Sequence, residues 1–219
     1  MQIFEEFIEV WDWTNGLPTG TQVSRKEAHL KGIPHEGVHL WIIRVLKNSP
    51  VQILFQRRAI TKEMYPGYLD ITVGGHVPFG KKFGKIQKEC EEEIGFSPMD
   101  SDLIDLGFYK YDEDIPEINL YHKEFQHIYL LIRNNDLSEY SFPDGEVSEI
   151  AAVNYNNFKG LFFGGNNSFI AEIFDGTVTK VKTVNKDDFH PLFFTEPMTN
   201  YLKNLFENIE KTVSSYSSQ

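Results

Sequence analysis

Three glutamates in the middle of the chain have the spacing of a shared ligand site. Glu89, Glu92 and Glu93 lie at positions i, i+3 and i+4, which places their carboxylates on one side of an α-helix. Like charges clustered in this way destabilise a helix unless a cation compensates them. Hard divalent cations such as Mg²⁺ take oxygen ligands and keep several waters while they contact phosphate. The spacing fits either a site for Mg²⁺ (or Mn²⁺) or a solvated acidic helix face.

A helix over residues 83–94 must position these acids. One buried face is predicted by apolar residues that are spaced three, four and four apart: Phe83, Ile86, Cys90 and Ile94. Gly95 follows, where a left-handed residue commonly ends a helix. Gly74 and Gly75 precede the helix, directly after a predicted strand, and glycines let the backbone approach a ligand closely. Loop, helix and turn together predict one compact unit, which favours a ligand site.

Strand formers dominate the chain on both sides of this unit. Strands are predicted over residues 4–13, 38–46, 51–57, 69–73, 103–111, 126–133 and 147–155, with a strand pair over 169–184. Residues 14–20 are predicted as a turn, residues 25–37 as a loop or short helix, and residues 197–212 as a final amphipathic helix. The pattern predicts one mixed α/β (α+β) domain over residues 1–219, with a core over about 36–156 and a C-terminal extension over about 157–219.

The composition limits the functional classes. The 219 residues are 41% hydrophobic, which fits one globular domain. No apolar stretch approaches the roughly 20 residues that span a bilayer, and the acidic start does not resemble a secretory signal. A single cysteine excludes an internal disulfide framework and favours the cytoplasm. The charge of −11 argues against nucleic-acid binding, but a small phosphorylated substrate is compatible because a bound metal reverses the local charge.

Residues 74–96, GGHVPFGKKFGKIQKECEEEIGF, resemble the Nudix box G-x5-E-x7-R-E-U-x-E-E-x-G-U, in which U is apolar. The positions that fit are Gly74, Glu89, Cys90, Glu92, Glu93, Gly95 and Phe96. Lys88 replaces the arginine, and Gly80 stands where the pattern has its first glutamate. Lys88 keeps the charge but lacks the bidentate fork of arginine. The resemblance implies the Nudix fold, a mixed β-sheet sandwiched between helices, here with an additional N-terminal strand region and a C-terminal helix.

The same resemblance implies a reaction and its residues. Nudix hydrolases cleave a diphosphate bond by attack of an activated water on one phosphorus of X–O–P–O–P, with help from a divalent cation. The implied metal ligands are the Gly74 carbonyl with Glu89, Glu92 and Glu93. The same three glutamates and Glu124 are the expected catalytic residues, and Glu146 is expected to be either structural or catalytic.

Beyond the box, most of residues 10–155 is similar to the Nudix proteins that resemble type I isopentenyl-diphosphate isomerase. The pieces that carry this similarity include VHLWI at 38–42, FQRRAITKEMYPGYLDIT at 55–72 and GGHV at 74–77. The isomerases carry a reactive cysteine where this chain has Gly74. Cys90 cannot substitute, because it lies on the apolar helix face as a small buried hydrophobe. Isomerisation needs an acid or base on each face of the substrate, so hydrolysis is favoured over isomerisation. The changes at Gly80 and Lys88 leave a non-catalytic diphosphate-binding module as a further alternative.

The remaining expected contacts are with a small-molecule diphosphate. Arg57, Arg58 and Lys62 are expected to bind it, and strand alternation predicts that only one of the two arginines faces the site. His39 and His76 match isomerase metal-ligand positions and are expected here to organise the pocket or contact substrate. Two other histidines, His29 and His35, are predicted to be surface residues. No nucleic-acid or membrane partner is expected, and the aromatic N-terminal strand is a candidate for pairing in a homodimer.

Overall fold

A mixed β-sheet forms the frame of the protein, and the computed structural model describes it over residues 5–216. Its strands, in chain order, are β1 (Phe7–Asp12), β2 (Leu17–Ser24), β3 (His35–Arg44), β4 (Gln52–Arg58), β5 (Leu69–Asp70), β6 (Val73–His76), β7 (Ile104–Ile115), β8 (Leu120–Ile132), β9 (Val147–Asn154), β10 (Ser168–Phe174) and β11 (Thr179–Asn185). The main path runs β11-β10-β9-β4-β3-β1-β2. Strand β8 pairs with β3 in parallel and with β7 antiparallel, and β6 pairs antiparallel with β3. This sheet agrees with the mixed sheet that the sequence predicts.

Four α-helices accompany the sheet over the described residues: α1 (Arg25–Lys31), α2 (Lys85–Ile94), α3 (Tyr155–Gly160) and α4 (Glu196–Tyr216). Helix α1 begins where the Ser24 side chain accepts a hydrogen bond from the backbone N–H of Glu27, a common N-cap arrangement. Helix α2 begins after Gly84 and ends before Gly95, and both glycines have a left-handed backbone. Glycine adopts that conformation without steric cost, so the two residues define the length of α2.

Side chains of β3 alternate between two buried layers, as the pleat of a strand requires. Leu40 and Ile42 pack with the apolar face of α2, which includes Cys90. Trp41 and Ile43 pack on the other face in a cluster that α3 and α4 complete. The sheet is therefore covered by helices on both faces, as the resemblance to the Nudix box implies.

Several predicted boundaries differ from those in the structure. Phe83 does not belong to α2, because the left-handed Gly84 precedes the helix, and the Phe83 side chain is 87% exposed. Strand β2 takes up part of the predicted turn at 14–20, since it begins at Leu17. Residue 4 of the predicted first strand lies outside the described residues. Within residues 5–216, no helix is both long and apolar enough to cross a membrane.

Candidate active site

A cavity of about 290 Å³ lies at the end of the sheet where β3, β6 and β8 meet helix α2. The N-terminal part of the chain, the box helix and the C-terminal extension all contribute to its wall. Charged and polar lining residues include Arg25, His29, His39, Gln56, Arg58, Lys62, Asp70, His76, Glu89, Glu93, His122, Glu124, Glu146 and His190. Apolar lining residues include Met64, Ile71, Leu120, Leu192, Phe193 and Met198. One part of the fold thus brings together acids, bases and apolar groups that are far apart in sequence.

Two of the box glutamates face this cavity. Glu93 is buried, and its Oε2 accepts hydrogen bonds from Gln56 Nε2 at 3.1 Å and from the Gly74 N–H at 3.3 Å. Burial raises the pKa of Glu93 to about 8, and the nearby Glu89 contributes to the rise. Burial also raises the pKa of Glu89. Burial therefore makes ionisation of both carboxyl groups less favourable, and a bound divalent cation would offset that cost.

The third box glutamate lies outside the cavity lining. The Glu92 side chain is 49% exposed, and Lys88 Nζ lies 2.6 Å from its Oε2. Lys88 Nζ also lies 3.2 Å from Glu89 Oε1. Lys88 thus connects the exposed and the buried acid, and it supplies the positive charge that the box pattern assigns to arginine.

The donor set at Glu89 and Glu93 suits a hard divalent cation. The Glu89 carboxylate occupies the space that a Cβ on Gly75 would fill, so a glycine at this position admits the acid to the cavity. Two carboxylates with raised pKa values share one partly buried space, and oxygen ligands of this kind are those that Mg²⁺ and Mn²⁺ take. Glu89 and Glu93 therefore fit the divalent cation that the box pattern implies.

A second cluster lies in the same cavity region and consists of His29, His35, His76 and Glu124. One potential ligand atom from each residue lies within 4.8 Å of all the others. His29 Nδ1 and His35 Nε2 are buried without a hydrogen-bond partner among the described residues, and they lie 3.9 and 3.8 Å from Glu124 Oε1. Buried ring nitrogens normally find a partner, so their orientation toward one carboxylate fits a bound cation.

The electrostatics of this histidine cluster favour metal binding. Burial lowers the pKa of His29 to about 4 and lowers that of His76 well below its usual value. Burial alone would raise the pKa of Glu124, but His122, whose Nδ1 lies 2.7 Å from Glu124 Oε1, and the neighbouring His35 outweigh it and lower the pKa. Neutral imidazoles beside an ionised carboxylate are the ligand forms that Zn²⁺ or Mn²⁺ requires.

The prediction that His29 and His35 are surface residues was wrong. The His35 side chain is fully buried, and that of His29 is 14% exposed. Parallel pairing of β3 with β8 places His35 opposite Glu124, and antiparallel pairing of β3 with β6 places Gly37 opposite His76. These pairings join distant parts of the chain, and local patterning gives no indication of them.

His39 is not a member of the histidine cluster. Its Nδ1 lies 3.1 Å from the Tyr201 hydroxyl on α4, and it pairs across the strands with Gly74. Burial lowers the pKa of His39 to about 4.

The three predicted basic residues have different surroundings. Arg58 lines the cavity, with its Nη1 3.0 Å from Asp70 Oδ2. Arg57 is absent from the lining and donates to Glu149 Oε2 at 2.7 Å. Lys62 lines the cavity and forms an ion pair with Glu146. Of the three, Arg58 and Lys62 thus lie where a phosphate in the cavity could reach them.

The C-terminal extension contributes residues that sequence reasoning missed. His190, Leu192, Phe193 and Met198 line the cavity, and no motif singles them out. His122 was also missed, although its spacing of two from Glu124 on one strand predicts a shared face.

Gly80, which replaces the first box glutamate, has a left-handed backbone with φ of 77°. A Cβ added at this position would have no described neighbour within 4 Å. Space is therefore available for a side chain, but a glutamate would be strained there because L residues rarely adopt that backbone conformation.

Comparisons with known proteins agree with this geometry. The NUDIX domain family matches residues 36–173. An uncharacterized Nudix hydrolase of Clostridium acetobutylicum is 30% identical over 149 residues, which cover 68% of this chain and 70% of that protein. The isopentenyl-diphosphate Delta-isomerase of Streptomyces avermitilis is 28% identical over 135 residues, which cover 61% of this chain and 68% of that protein.

A crystal structure of a Deinococcus radiodurans protein superimposes with a TM-score of 0.53 at 18% identity, over 73% of this chain and 90% of the other. That level of identity supports the fold alone. The family match covers more than half of the chain, and the relatives include both hydrolases and isomerases. The chain therefore belongs to the Nudix family as a Nudix hydrolase of the isomerase-like branch.

Proposed function

We propose that the protein hydrolyses a diphosphate bond in a small X-linked diphosphate, a nucleoside diphosphate derivative or a related metabolite, with the help of Mg²⁺ or Mn²⁺. The observation that carries this proposal is the pairing of Glu93 with Glu89 in one cavity, where both carboxyl groups have raised pKa values. Ionisation of two buried acids is costly unless a cation compensates the charge, and strongly perturbed pKa values are concentrated at functional sites. Such a pair is suited to bind the cation of a metal-dependent diphosphate hydrolysis.

Different residues around the cavity would bind the cation and the phosphate groups. When bound, a divalent cation would neutralise negative charge on the phosphate oxygens and assist formation of the attacking hydroxide. Glu89 and Glu93 would hold that cation, and the Gly74 carbonyl is a further ligand in this proposal. Arg58 and Lys62 supply positive donors to the phosphate oxygens, and arginine offers two parallel hydrogen bonds to them. Glu92 lies outside the cavity and would position Lys88, which also contacts Glu89, through their ion pair.

Proton transfer has two candidate residues in the cavity. Glu93 lines the cavity with Glu89, and a bound cation would keep its carboxylate ionised and able to accept a proton from water. The lowered pKa of Glu124 makes it a poor base, and its neighbours suit it to a cation instead. We therefore assign Glu124 to the histidine cluster, where it would hold a second cation with His29, His35 and His76.

Isomerisation of a diphosphate is the principal alternative, because isomerases are among the relatives. The histidine cluster favours that alternative, but Gly74 supplies no thiol where the isomerase resemblance expects one. A Cβ at position 74 would meet His39 Cδ2 at 3.3 Å, so the imidazole edge of His39 fills that region. The chain thus lacks one of the two groups that proton transfer on both faces of an isoprenoid needs.

A panel of diphosphates tests the proposed function. The purified protein is incubated with Mg²⁺ or Mn²⁺ and with nucleoside diphosphate sugars, dinucleoside polyphosphates, ADP-ribose and isopentenyl diphosphate, and products are followed by ³¹P NMR. We expect metal-dependent cleavage of at least one compound, abolished by EDTA. Migration of the double bond of isopentenyl diphosphate without phosphate release would contradict hydrolysis. Tight binding without any turnover would favour a binding module.

A further inference from the structure

One hydroxyl group on helix α4 of the C-terminal extension bonds two side chains of strand β3. Tyr201 is buried on α4 with 1% exposure. Trp41 Nε1 lies 2.6 Å from the Tyr201 hydroxyl oxygen, and His39 Nδ1 lies 3.1 Å from the same atom. His39 and Trp41 are two residues apart on β3, so they share one face of the strand. A single oxygen thus connects α4 with two neighbouring side chains of the central strand.

The hydrogens in this group can be assigned by counting donors. An indole N–H only donates, so Trp41 donates to the Tyr201 oxygen. The hydroxyl proton of Tyr201 then needs an acceptor, and within the described residues only His39 Nδ1 is close enough. Tyr201 therefore donates to Nδ1, and a neutral His39 carries its own proton on Nε2. The opposite tautomer would bring two N–H groups to one oxygen and leave the hydroxyl proton buried without a partner, which is unfavourable.

The imidazole of His39 lines the same cavity as the box acids Glu89 and Glu93. His39 lines the cavity, and a Cβ on Gly74 would lie 3.7 Å from Nε2. The N–H of Gly74 donates to Glu93 Oε2. Within residues 5–216, His39 Nε2 has no hydrogen-bond partner. The donor therefore opens into the cavity whose wall also carries Glu93, Arg58 and Lys62.

We propose that His39 is a fixed neutral donor that binds a diphosphate oxygen of the substrate through Nε2–H, and that Tyr201 is the positioning residue that holds this tautomer. The inference rests on the proposed diphosphate hydrolysis. It gives the C-terminal extension a role in the reaction, because the hydroxyl group that fixes His39 comes from α4 rather than from the core. Phosphate oxygens are strong acceptors, and a donor fixed before substrate arrives needs no reorganisation.

NMR of the ring nitrogens tests the tautomer without any turnover. Two-bond ¹H–¹⁵N spectra of histidine-labelled protein separate the two neutral tautomers, and the His39→Gln variant identifies the His39 signals. We expect the Nε2–H form in the wild type and a mixture of tautomers in Tyr201→Phe. Addition of methylenediphosphonate to the Mg²⁺-loaded wild type should shift the Nε2 signal. An Nδ1–H form, or binding of the phosphonate without that shift, overturns the inference. A wild type that binds no phosphonate overturns the proposed function as well.

Matched substitutions test the contribution to the reaction. The amide nitrogen of a glutamine at position 39 falls near Nε2, whereas that of an asparagine falls near Nδ1. We expect His39→Asn to raise the KM for the diphosphate substrate about tenfold or more and His39→Gln to retain most of the affinity, since a hydrogen bond to a charged group is lost only in the first. Tyr109→Phe is the control, because Tyr109 packs against Tyr201 and bonds Pro197 without touching His39. Equal losses in Asn and Gln would contradict the donor role.

Discussion

The Glu89 carboxylate lies against the backbone of Gly75, in the space that a side chain at position 75 would fill. This contact joins the box helix to strand β6. It lets an acid on one element and the backbone of the other share the wall of the cavity. A glycine is therefore favoured at position 75 because any side chain there would clash with Glu89, and this reason does not depend on backbone conformation.

Replacement of Gly75 by alanine tests that contact. The added methyl group would displace Glu89, so we expect turnover of a diphosphate substrate to fall about tenfold or more, because small displacements at catalytic groups are costly. Mg²⁺ affinity should fall with it. Gly160→Ala is the control, because its Cβ would make only an ordinary 3.5 Å contact with Gly165. If Gly75→Ala binds Mg²⁺ and turns over as the wild type does, Glu89 is not held as described.

The ion pair between Asp70 and Arg58 should be visible in folding stability. Burial alone would raise the pKa of Asp70, but His190 and Arg58 outweigh it and lower the pKa. An acid with a lowered pKa stabilises the fold above its unfolded value of 3.8, and that stabilisation is lost as the pH falls through the folded value. We expect Asp70→Asn to lower the free energy of unfolding by about 2 kcal/mol at pH 7.

Urea unfolding of the wild type and Asp70→Asn between pH 3 and pH 7 measures this difference. The two proteins should converge toward the acid end, since protonated Asp70 no longer pairs with Arg58. Asp187→Asn is a useful comparison, because Asp187 is exposed and forms no ion pair in the part of the chain that the structure describes. A difference between wild type and Asp70→Asn that is constant with pH would show that the loss is not electrostatic.

The histidine cluster should bind a transition metal independently of the box acids. We expect metal-free protein to bind one Co²⁺ per chain, with visible absorption bands, and His35→Ala to lower that affinity about 100-fold or more, because removal of even an outer partner of a ligand costs 10–100-fold. His127→Ala is the control, since His127 contacts Asp105 outside the cluster. Glu93→Gln should keep the Co²⁺ site. Unchanged Co²⁺ binding in His35→Ala would show that the cluster is not a metal site.

The sequence predicts the framework better than the site. The box helix, the buried Cys90 and the final helix follow from apolar spacing, which is a local property, and all three are present. Phe83 was misplaced because spacing alone does not reveal that Gly84 precedes the helix with a left-handed backbone. Local periodicity thus identifies elements well and their first residues poorly.

The cavity depends on contacts that no local pattern contains. His35 meets Glu124 through parallel pairing of two strands that are about 90 positions apart in the chain. Tyr201 reaches His39 from the last helix. Strand register and the docking of a terminal helix are set by global packing, so the sequence indicates which residues are chemically capable but not which of them meet.

The central claim is that Glu89 and Glu93 hold the cation for diphosphate hydrolysis. Turnover of Glu93→Gln tests this claim most directly. The variant should lose diphosphate hydrolysis about 100-fold or more in saturating Mg²⁺, because the change removes a cation ligand and proton acceptor while it keeps the shape of the side chain. Its thermal midpoint without metal should equal or exceed that of the wild type, since an amide needs no ionisation in a buried site. Glu91→Gln, an exposed change on the same helix, should keep full activity. Full activity in a folded Glu93→Gln would contradict the account.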